Sequence, residues 1–478
     1  MEKSTDINNK YTINNNSIKP KKIVYKNLKD VPEHNPQTDL CDYFIQTKMR
    51  FCKFTPMNKS KYCVHHNYEI VIKCDNCLHT LFKDNIERHK LYCKYPKEKA
   101  LLESNEWYKK NINLLRRIDN LSEENNKIDL STFLEKITNT YKILKEEYTT
   151  YLKNSKFSEY LTSKNDEVDN NTTELYCKGY LVSSLDIKEE DLNSTLQLSK
   201  LKKHGSQKLA ITKVMKDFGL LNNYEDDSYI FIEFGAGKGG LTETIINSTN
   251  NKSNYILLER EGVRHKKDKC SDNCVRFRTD ILDFDINYLP YVINNKYKFV
   301  KYRKNTNLNN QSSNNDSIND NNNTNNDIKH IKETDLKLIG IAKHICGCAL
   351  DMSAFTLLNY KHGYKGLCFA SCCHHLGNIN NFLGYDILKE KHKFENKEIL
   401  FLFKATSWLF EDENKEISNS YSKYFKNMIE KKKIGIICKY IIDLCRVFYI
   451  MSFNKDVLYI KYCSNEITTE NNLIISIC

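Results

Sequence analysis

The sequence predicts an α/β fold with a Rossmann-like, doubly wound sheet, preceded by two small metal-held modules and a helical linker. Three observations predict it. An apolar run, Ile230-Phe231-Ile232, ends in Glu233 and a glycine-rich turn, Gly235-Ala236-Gly237-Lys238-Gly239, that opens a helix. Glycine lets a ligand approach the backbone there because no side chain intervenes. Two further apolar runs, Tyr255-Ile256-Leu257-Leu258 and Val275-Arg276-Phe277, lead into Glu259 and Asp280, where such a sheet places polar groups against a bound nucleotide. Finally, six cysteines and four histidines fall between Cys41 and Cys93, in a stretch too short and polar to bury a core without metal.

The metal-held modules come first in the chain. Cys41, Cys52, Cys63 and His66, spaced x10, x10 and x2, make three thiolates and an imidazole, enough to close a tetrahedral structural zinc. His65 is the alternative to His66, although the Cys-x2-His spacing favours the latter. Cys74, His79, His89 and Cys93 make a second set, with His89 and Cys93 four apart on one face of a helix predicted over 84–92. Cys77 is a spare candidate for that set. Two zinc ions per chain are therefore expected.

The rest of the organisation follows from composition. Residues 1–37 are Asn/Lys-rich and read as a disordered arm, 38–70 as the first finger and 71–97 as the second. Residues 98–175 read as a helical linker, because Leu114-Leu115, Leu121, Leu130, Phe133-Leu134, Ile137, Tyr141 and Leu144 recur at roughly helical spacing. The sheet domain occupies 176–478, interrupted at 304–328 by an asparagine-dominated stretch with almost no apolar residue, which reads as a disordered insertion.

With 478 residues there is room for two or three domains. The net charge of +12, from 73 Lys and Arg against 61 Asp and Glu, suits an anionic partner. Eighteen cysteines occur with a polar N-terminus and no run of membrane-spanning length, which argues against secretion and against a membrane partner. An intracellular protein of cytoplasm or nucleus is expected, its cysteines serving as metal ligands or buried thiols.

The C-terminal half carries the unusual chemistry. The apolar run Leu338-Ile339-Gly340-Ile341-Ala342 delivers Lys343, His344, Cys346 and Cys348 to its end, and Gly366-Leu367-Cys368-Phe369-Ala370 delivers Ser371, Cys372, Cys373, His374 and His375. Ligands of open α/β sheets bind beyond the carboxyl ends of strands, so both clusters should face the cofactor. Glu233, Glu259 and Asp280 fit S-adenosylmethionine better than a dinucleotide: no phosphate needs cradling, and a sulfonium with an amino group suits acidic surroundings. A catalytic metal drawn from Cys346, Cys372 and His374 ranks below a metal-free site, since methyl transfer from a sulfonium needs no Lewis acid.

Taken together, these residues resemble the eukaryotic tRNA 2′-O-ribose methyltransferases that modify nucleotide 4 of the acceptor stem. The matching pieces are Cys41…Lys48-Met49-Arg50-Phe51-Cys52…Tyr62-Cys63-Val64-His65-His66, then His89-Lys90-Leu91-Tyr92-Cys93, Glu233-Phe234-Gly235-Ala236-Gly237-Lys238-Gly239 and Arg278-Thr279-Asp280-Ile281. Ala342-Lys343-His344-Ile345-Cys346-Gly347 with Asp351, Cys372-Cys373-His374-His375, and Gly435…Cys438-Lys439…Asp443…Arg446 complete the resemblance, which spans roughly 38–450. The second finger has one residue fewer between Cys74 and His79 than the family usually has, and Glu259 stands where the family tends to have Asp.

The resemblance implies a class I methyltransferase sheet that transfers a methyl group from S-adenosylmethionine to a ribose 2′-oxygen of tRNA. Glu233, Gly235, Gly237, Gly239, Glu259 and Asp280 would line the cofactor, and fingers and basic surface would grip the stem. No obligate protein partner is implied. An A-form helix displays its 2′-hydroxyls in a wide, shallow minor groove, so recognition by shape and phosphates agrees with that reading. Lys343 and His344 are the first choices for general base, with His374 the second; Lys343 could instead hold the 2′-oxygen electrostatically. The rival reading is a non-catalytic zinc-finger RNA-binding factor whose methyltransferase-like domain is a platform. Retention of the glycine turn, the acids and the Lys343/His344 cluster together argues against it.

Overall fold

The computed structural model describes residues 31–45, 49–57, 60–63, 66, 71–75, 80–93, 95–118, 128–158, 203–221, 228–249, 253–263, 266–267, 271, 273–294, 332–412, 417–418, 421–463 and 467–478. The insertion expected at 304–328 lies outside them, as do His65, Cys77 and His79. The chain divides into two compact units, Met1–Leu102 and Glu103–Cys478.

The first unit is made of very short elements. Strands β1 (Phe44–Ile45) and β2 (Arg50–Phe51) pair antiparallel, as do β3 (Val71–Lys73) and β4 (Thr80–Phe82). Helix α1 (Ile86–Tyr92) covers most of the helix predicted over 84–92, and α2 (Tyr95–Glu103) follows it. α1 buries none of its residues, and Leu91 and Tyr92 are exposed. Among the described residues of this unit few apolar side chains are buried apart from the cysteines, so the thiols and imidazoles are the groups placed to hold it together.

The second unit is built on a seven-stranded sheet in the order β7-β6-β5-β8-β9-β11-β10. Its strands are β5 (Tyr229–Phe234), β6 (Asn254–Leu258), β7 (Cys274–Phe277), β8 (Lys337–Cys346), β9 (Gly366–Cys372), β10 (Asp456–Lys461) and β11 (Asn472–Ile477). β5 to β9 run parallel, and β11 lies antiparallel to both β9 and β10. β5 and β6 are buried along nearly their whole length, so their sequences read as continuous apolar runs rather than alternating ones. Strand order reverses between β5 and β8, which opens the ligand crevice at their carboxyl ends.

Helices flank the sheet. They are α3 (Leu130–Asn154), α4 (Lys203–Asp217), α5 (Gly240–Thr249), α6 (Leu289–Asn294), α7 (Ala349–Leu358), α8 (Asn396–Ala405) and α9 (Met428–Met451). In α3 the buried residues Leu130, Phe133, Ile137, Tyr141, Leu144, Tyr148 and Leu152 recur every three or four positions, giving one apolar stripe. Asp129 caps the helix by accepting from the Ser131 amide. Tyr148 and Tyr151 of α3 accept hydrogen bonds from the Tyr459 and Val457 amides of edge strand β10, at 2.7 and 2.9 Å. Those amides would otherwise present an open edge to another chain.

The expected helical linker over 98–175 differs in one element. Residues 104–118 are not helical; they run along the sheet unit and bond to it. The Lys109 and Asn113 amides donate to the carbonyls of Asp283 and Leu282 at 2.9 and 3.0 Å, the Arg116 amide donates to Asn380 at 3.1 Å, and Trp107 is buried. Partners outside the segment replace the i−4 carbonyls that a helix would have used. Residues 119–127 and 159–175 lie outside the described residues.

Candidate functional site

In the first unit, Cys41, Cys52, Cys63 and His66 converge, with ligand atoms all within 4.8 Å of one another. Cys52 Sγ lies 3.9 Å from Cys63 Sγ, and His66 Nδ1 lies 3.5 and 3.3 Å from the sulfurs of Cys41 and Cys63. A tetrahedral zinc requires roughly 3.8 Å between sulfurs and about 3.5 Å from sulfur to nitrogen, so the donors fit that ion. The imidazole stacks on Tyr43 with ring centroids 4.0 Å apart, which fixes its plane. Burial pushes the Cys41 thiol up to about 11, a cost that a bound dication offsets by stabilising the thiolate. Cys74, His89 and Cys93 form a second group within the same distance limit, with both thiols buried.

In the second unit, the carboxyl ends of β5 to β9 carry the remaining sequence-predicted residues. Gly235, Gly237 and Gly239 all take positive φ, at 59, 51 and 81°, the region where L side chains are strained. A Cβ added at Gly237 would meet no protein atom within 4 Å, whereas one at Gly235 would press within 2.9 Å of Ile345. Bare backbone facing open space at Gly237 fits a closely approaching cofactor. The Gly237 amide donates to Glu259 at 2.7 Å, which places that carboxylate at the mouth of the turn.

Glu233 behaves differently from the expectation that it lines the cofactor. It is 4% exposed, and its carboxylate accepts from the amide and hydroxyl of Thr242 at 3.1 and 2.6 Å. It therefore braces the first turn of α5 from behind. Burial pushes its carboxyl up to about 7, against the Thr242 hydrogen bonds and the charges of Arg276 and Lys208. Asp280 caps a short turn by accepting from the Leu282 amide and pairs with Arg260 at 3.3 Å. Arg276, which the sequence reading passed over, donates to the Gly237 carbonyl at 2.8 Å. A charged residue within a buried parallel strand was the available signal.

Lys343 and His344 come together at the end of β8. The register with β9 shifts between Lys343 and Ile345, and His344 sits at φ 65°. This bulge sets the Lys343 ammonium nitrogen 2.7 Å from Nε2 of His344 and 3.4 Å from Nδ1 of His204. His204, from the start of α4, stands edge-on to His344 with ring centroids 5.4 Å apart; no local sequence pattern marked it. Burial, and then the like charge of Lys208, lowers Lys343 to about 8.

His374, expected as the second candidate base, is not brought to that pair. It is 2% exposed, and Nε2 lies 2.8 Å from Asp443. Asp443 also accepts from Ser371, Tyr459 and Arg446 at 2.9, 2.9 and 3.0 Å. Arg446 in turn holds both oxygens of Asp351, at 3.0 and 2.6 Å. This buried network joins β9, α7, α9 and β10. Burial alone would raise the Asp443 carboxyl, but His374 and Arg446 override it and hold it well below the ordinary carboxylate value.

Comparison with known proteins adds a family. Residues 206–306 and 317–477 match the family described as methyltransferase TRM13, and 39–67 match the CCCH zinc finger in TRM13 protein. The break in the longer match falls inside the asparagine-rich stretch. A Vanderwaltozyma polyspora protein named tRNA:m(4)X modification enzyme TRM13 is 24% identical over 473 residues, 92% of this chain and 98% of its own. The Debaryomyces hansenii protein of that name is 25% identical, covering 90% of each chain. A Dictyostelium discoideum homolog is 26% identical over 47% of this chain and 36% of its own. The match to the longer profile covers more than half of the residues, and the chain belongs to the methyltransferase TRM13 family.

Proposed function

We propose that this protein methylates tRNA, transferring a methyl group from S-adenosylmethionine to the ribose 2′-oxygen of nucleotide 4 in the acceptor stem. The observation that carries the reading is the Lys343–His344 pair at 2.7 Å, raised on a bulge at the same sheet end as the glycine turn. When bound, S-adenosylmethionine supplies an electrophilic methyl group. Gly235 to Gly239 would receive it against bare backbone, Glu259 would take its ribose hydroxyls, and Asp280 would face the far side of the crevice.

A ribose hydroxyl is a poor nucleophile until its proton is taken or its developing charge is stabilised. Lys343, lowered to about 8, is partly neutral near physiological pH and can take that proton. His344 and His204 fix the amine's orientation, so the acceptor oxygen meets a preorganised partner. The names of the relatives, each a tRNA modification enzyme, support tRNA as the acceptor, as does the excess of basic residues. Two structural zincs in the first unit would present the fingers to the stem. Among the described residues no helix is long and apolar enough to cross a membrane.

The test is product analysis. Unmodified tRNA incubated with the protein and S-adenosylmethionine, then digested to nucleosides and mapped, should carry a 2′-O-methyl group at nucleotide 4. A methylated base, or label on protein in place of tRNA, would contradict the reading.

A further inference from the structure

Outside the two N-terminal donor sets, one more cluster of soft ligands occurs among the described residues. Cys346 ends β8, Cys372 ends β9 and Cys373 follows it, and their sulfurs all lie within 4.8 Å of one another. Cys346 and Cys372 are register partners on adjacent strands, which by itself sets two thiols side by side. The third thiol has no such explanation. Successive residues of an extended chain point to opposite faces, yet Cys373 takes a left-handed conformation, φ 48°, and its sulfur joins the other two. Packing does not account for the group either, because Cys346 is exposed.

The spacing is that of a metal site. Cys346 and Cys372 sulfurs stand 3.9 Å apart, the same separation as Cys52 and Cys63 in the first finger and close to the roughly 3.8 Å that tetrahedral zinc imposes. Three thiolates around a dication leave one negative charge, and Lys343 is near enough to Cys372 for their charges to interact.

We propose that Cys346, Cys372 and Cys373 bind a zinc ion through three thiolates, with the fourth position open on the exposed side of Cys346. Loading releases the thiol protons to solvent. Three protein ligands and one open position is the pattern of zinc sites that exchange a ligand, whereas structural sites are closed by a fourth side chain. The ion ties the ends of β8 and β9 together, directly after the bulge that carries Lys343 and His344.

The test uses the full chain, loaded with zinc and desalted. Cys346→Ser should hold one zinc fewer than wild type while keeping its circular dichroism, a difference independent of how many ions the fingers carry. A second measurement needs no variant: in wild type, Cys346 should react with iodoacetamide several-fold more slowly with zinc than after chelation. Equal zinc content in the two proteins, with an unchanged alkylation rate, would overturn the site. So would a Cys346–Cys372 disulfide in the non-reduced peptide map of zinc-loaded protein.

Discussion

Nζ of Lys343 lies 2.7 Å from Nε2 of His344, a contact that neighbours on a regular strand cannot make, since their side chains leave opposite faces. The bulge between Lys343 and Ile345, with His344 at φ 65°, makes the contact. A non-glycine residue held there costs on the order of 1–3 kcal/mol, and pairing with β9 on both sides of the bulge, at Lys343–Ala370 and Ile345–Ser371, keeps it in place. Strain of this kind collects where a fold holds chemical groups in a set position.

The depressed Lys343 value gives a pH dependence with a definite sign. Below about 8 the amine is protonated and cannot accept a proton; with Lys343 as base, turnover should rise with pH through that value and level off above it. Lys208→Ala removes a like charge that lowers Lys343, so the midpoint should move to higher pH. A profile rising through 6 to 7 instead would assign the base to histidine. Stability follows the same titration. The unfolded chain keeps its Lys343 proton up to about 10.5 and the folded one only to about 8, so this group contributes rising stability across that window.

The glycine turn can be tested without disturbing the core. A Cβ at Gly237 meets no protein atom within 4 Å, although φ is 51°, so Gly237→Ala should cost only about 1–2 kcal/mol of folding stability. Affinity for S-adenosylmethionine, measured by calorimetry, should fall at least tenfold, because the methyl group occupies space the cofactor approaches. A folded Gly237→Ala protein with unchanged affinity would remove this turn from the cofactor site.

Much of the sheet was legible in the sequence because buried parallel strands are unbroken apolar runs, and β5, β6, β8 and β9 read that way. The Lys343/His344 cluster was legible for the same reason: it ends such a run. His204 was not, since it reaches the site from a helix more than a hundred residues earlier, and only tertiary packing brings it there. His374 misled because a histidine beside cysteines at a strand end has the composition of a site, while its direction, inward to Asp443, depends on the left-handed turn at Cys373. The stretch 104–118 departs from the helical expectation because its leucine signal is a single adjacent pair, Leu114-Leu115, while its Lys109, Asn113 and Arg116 amides bond to Asp283, Leu282 and Asn380.

The buried network should govern stability more than chemistry. Arg446 is the cation between Asp351 and Asp443, and all three are fully buried. Arg446→Ala strips Asp351 of its cation and leaves Asp443 with His374 alone, and should destabilise the second unit by about 3–5 kcal/mol, seen as an earlier midpoint in urea unfolding. An unchanged midpoint would show that water or another cation replaces the guanidinium.

The fingers should be separable from cofactor binding. Cys63 contacts both Cys52 and His66 at 3.9 and 3.3 Å, so Cys63→Ser should lose one zinc and unfold the first finger. Because the two compact units divide near residue 102, S-adenosylmethionine affinity should stay near wild type while tRNA affinity falls. Loss of cofactor binding in this variant would show that the units are coupled.

The most direct measurement is single-turnover methyl transfer to tRNA by Lys343→Ala, with S-adenosylmethionine affinity determined on the same preparation. Loss of a general base or of a partner to the developing oxyanion lowers the rate by about a hundredfold or more. The predicted result is a loss of that size with cofactor affinity unchanged, since the amine acts on the acceptor oxygen in the transition state. Wild-type rates in Lys343→Ala would contradict the account.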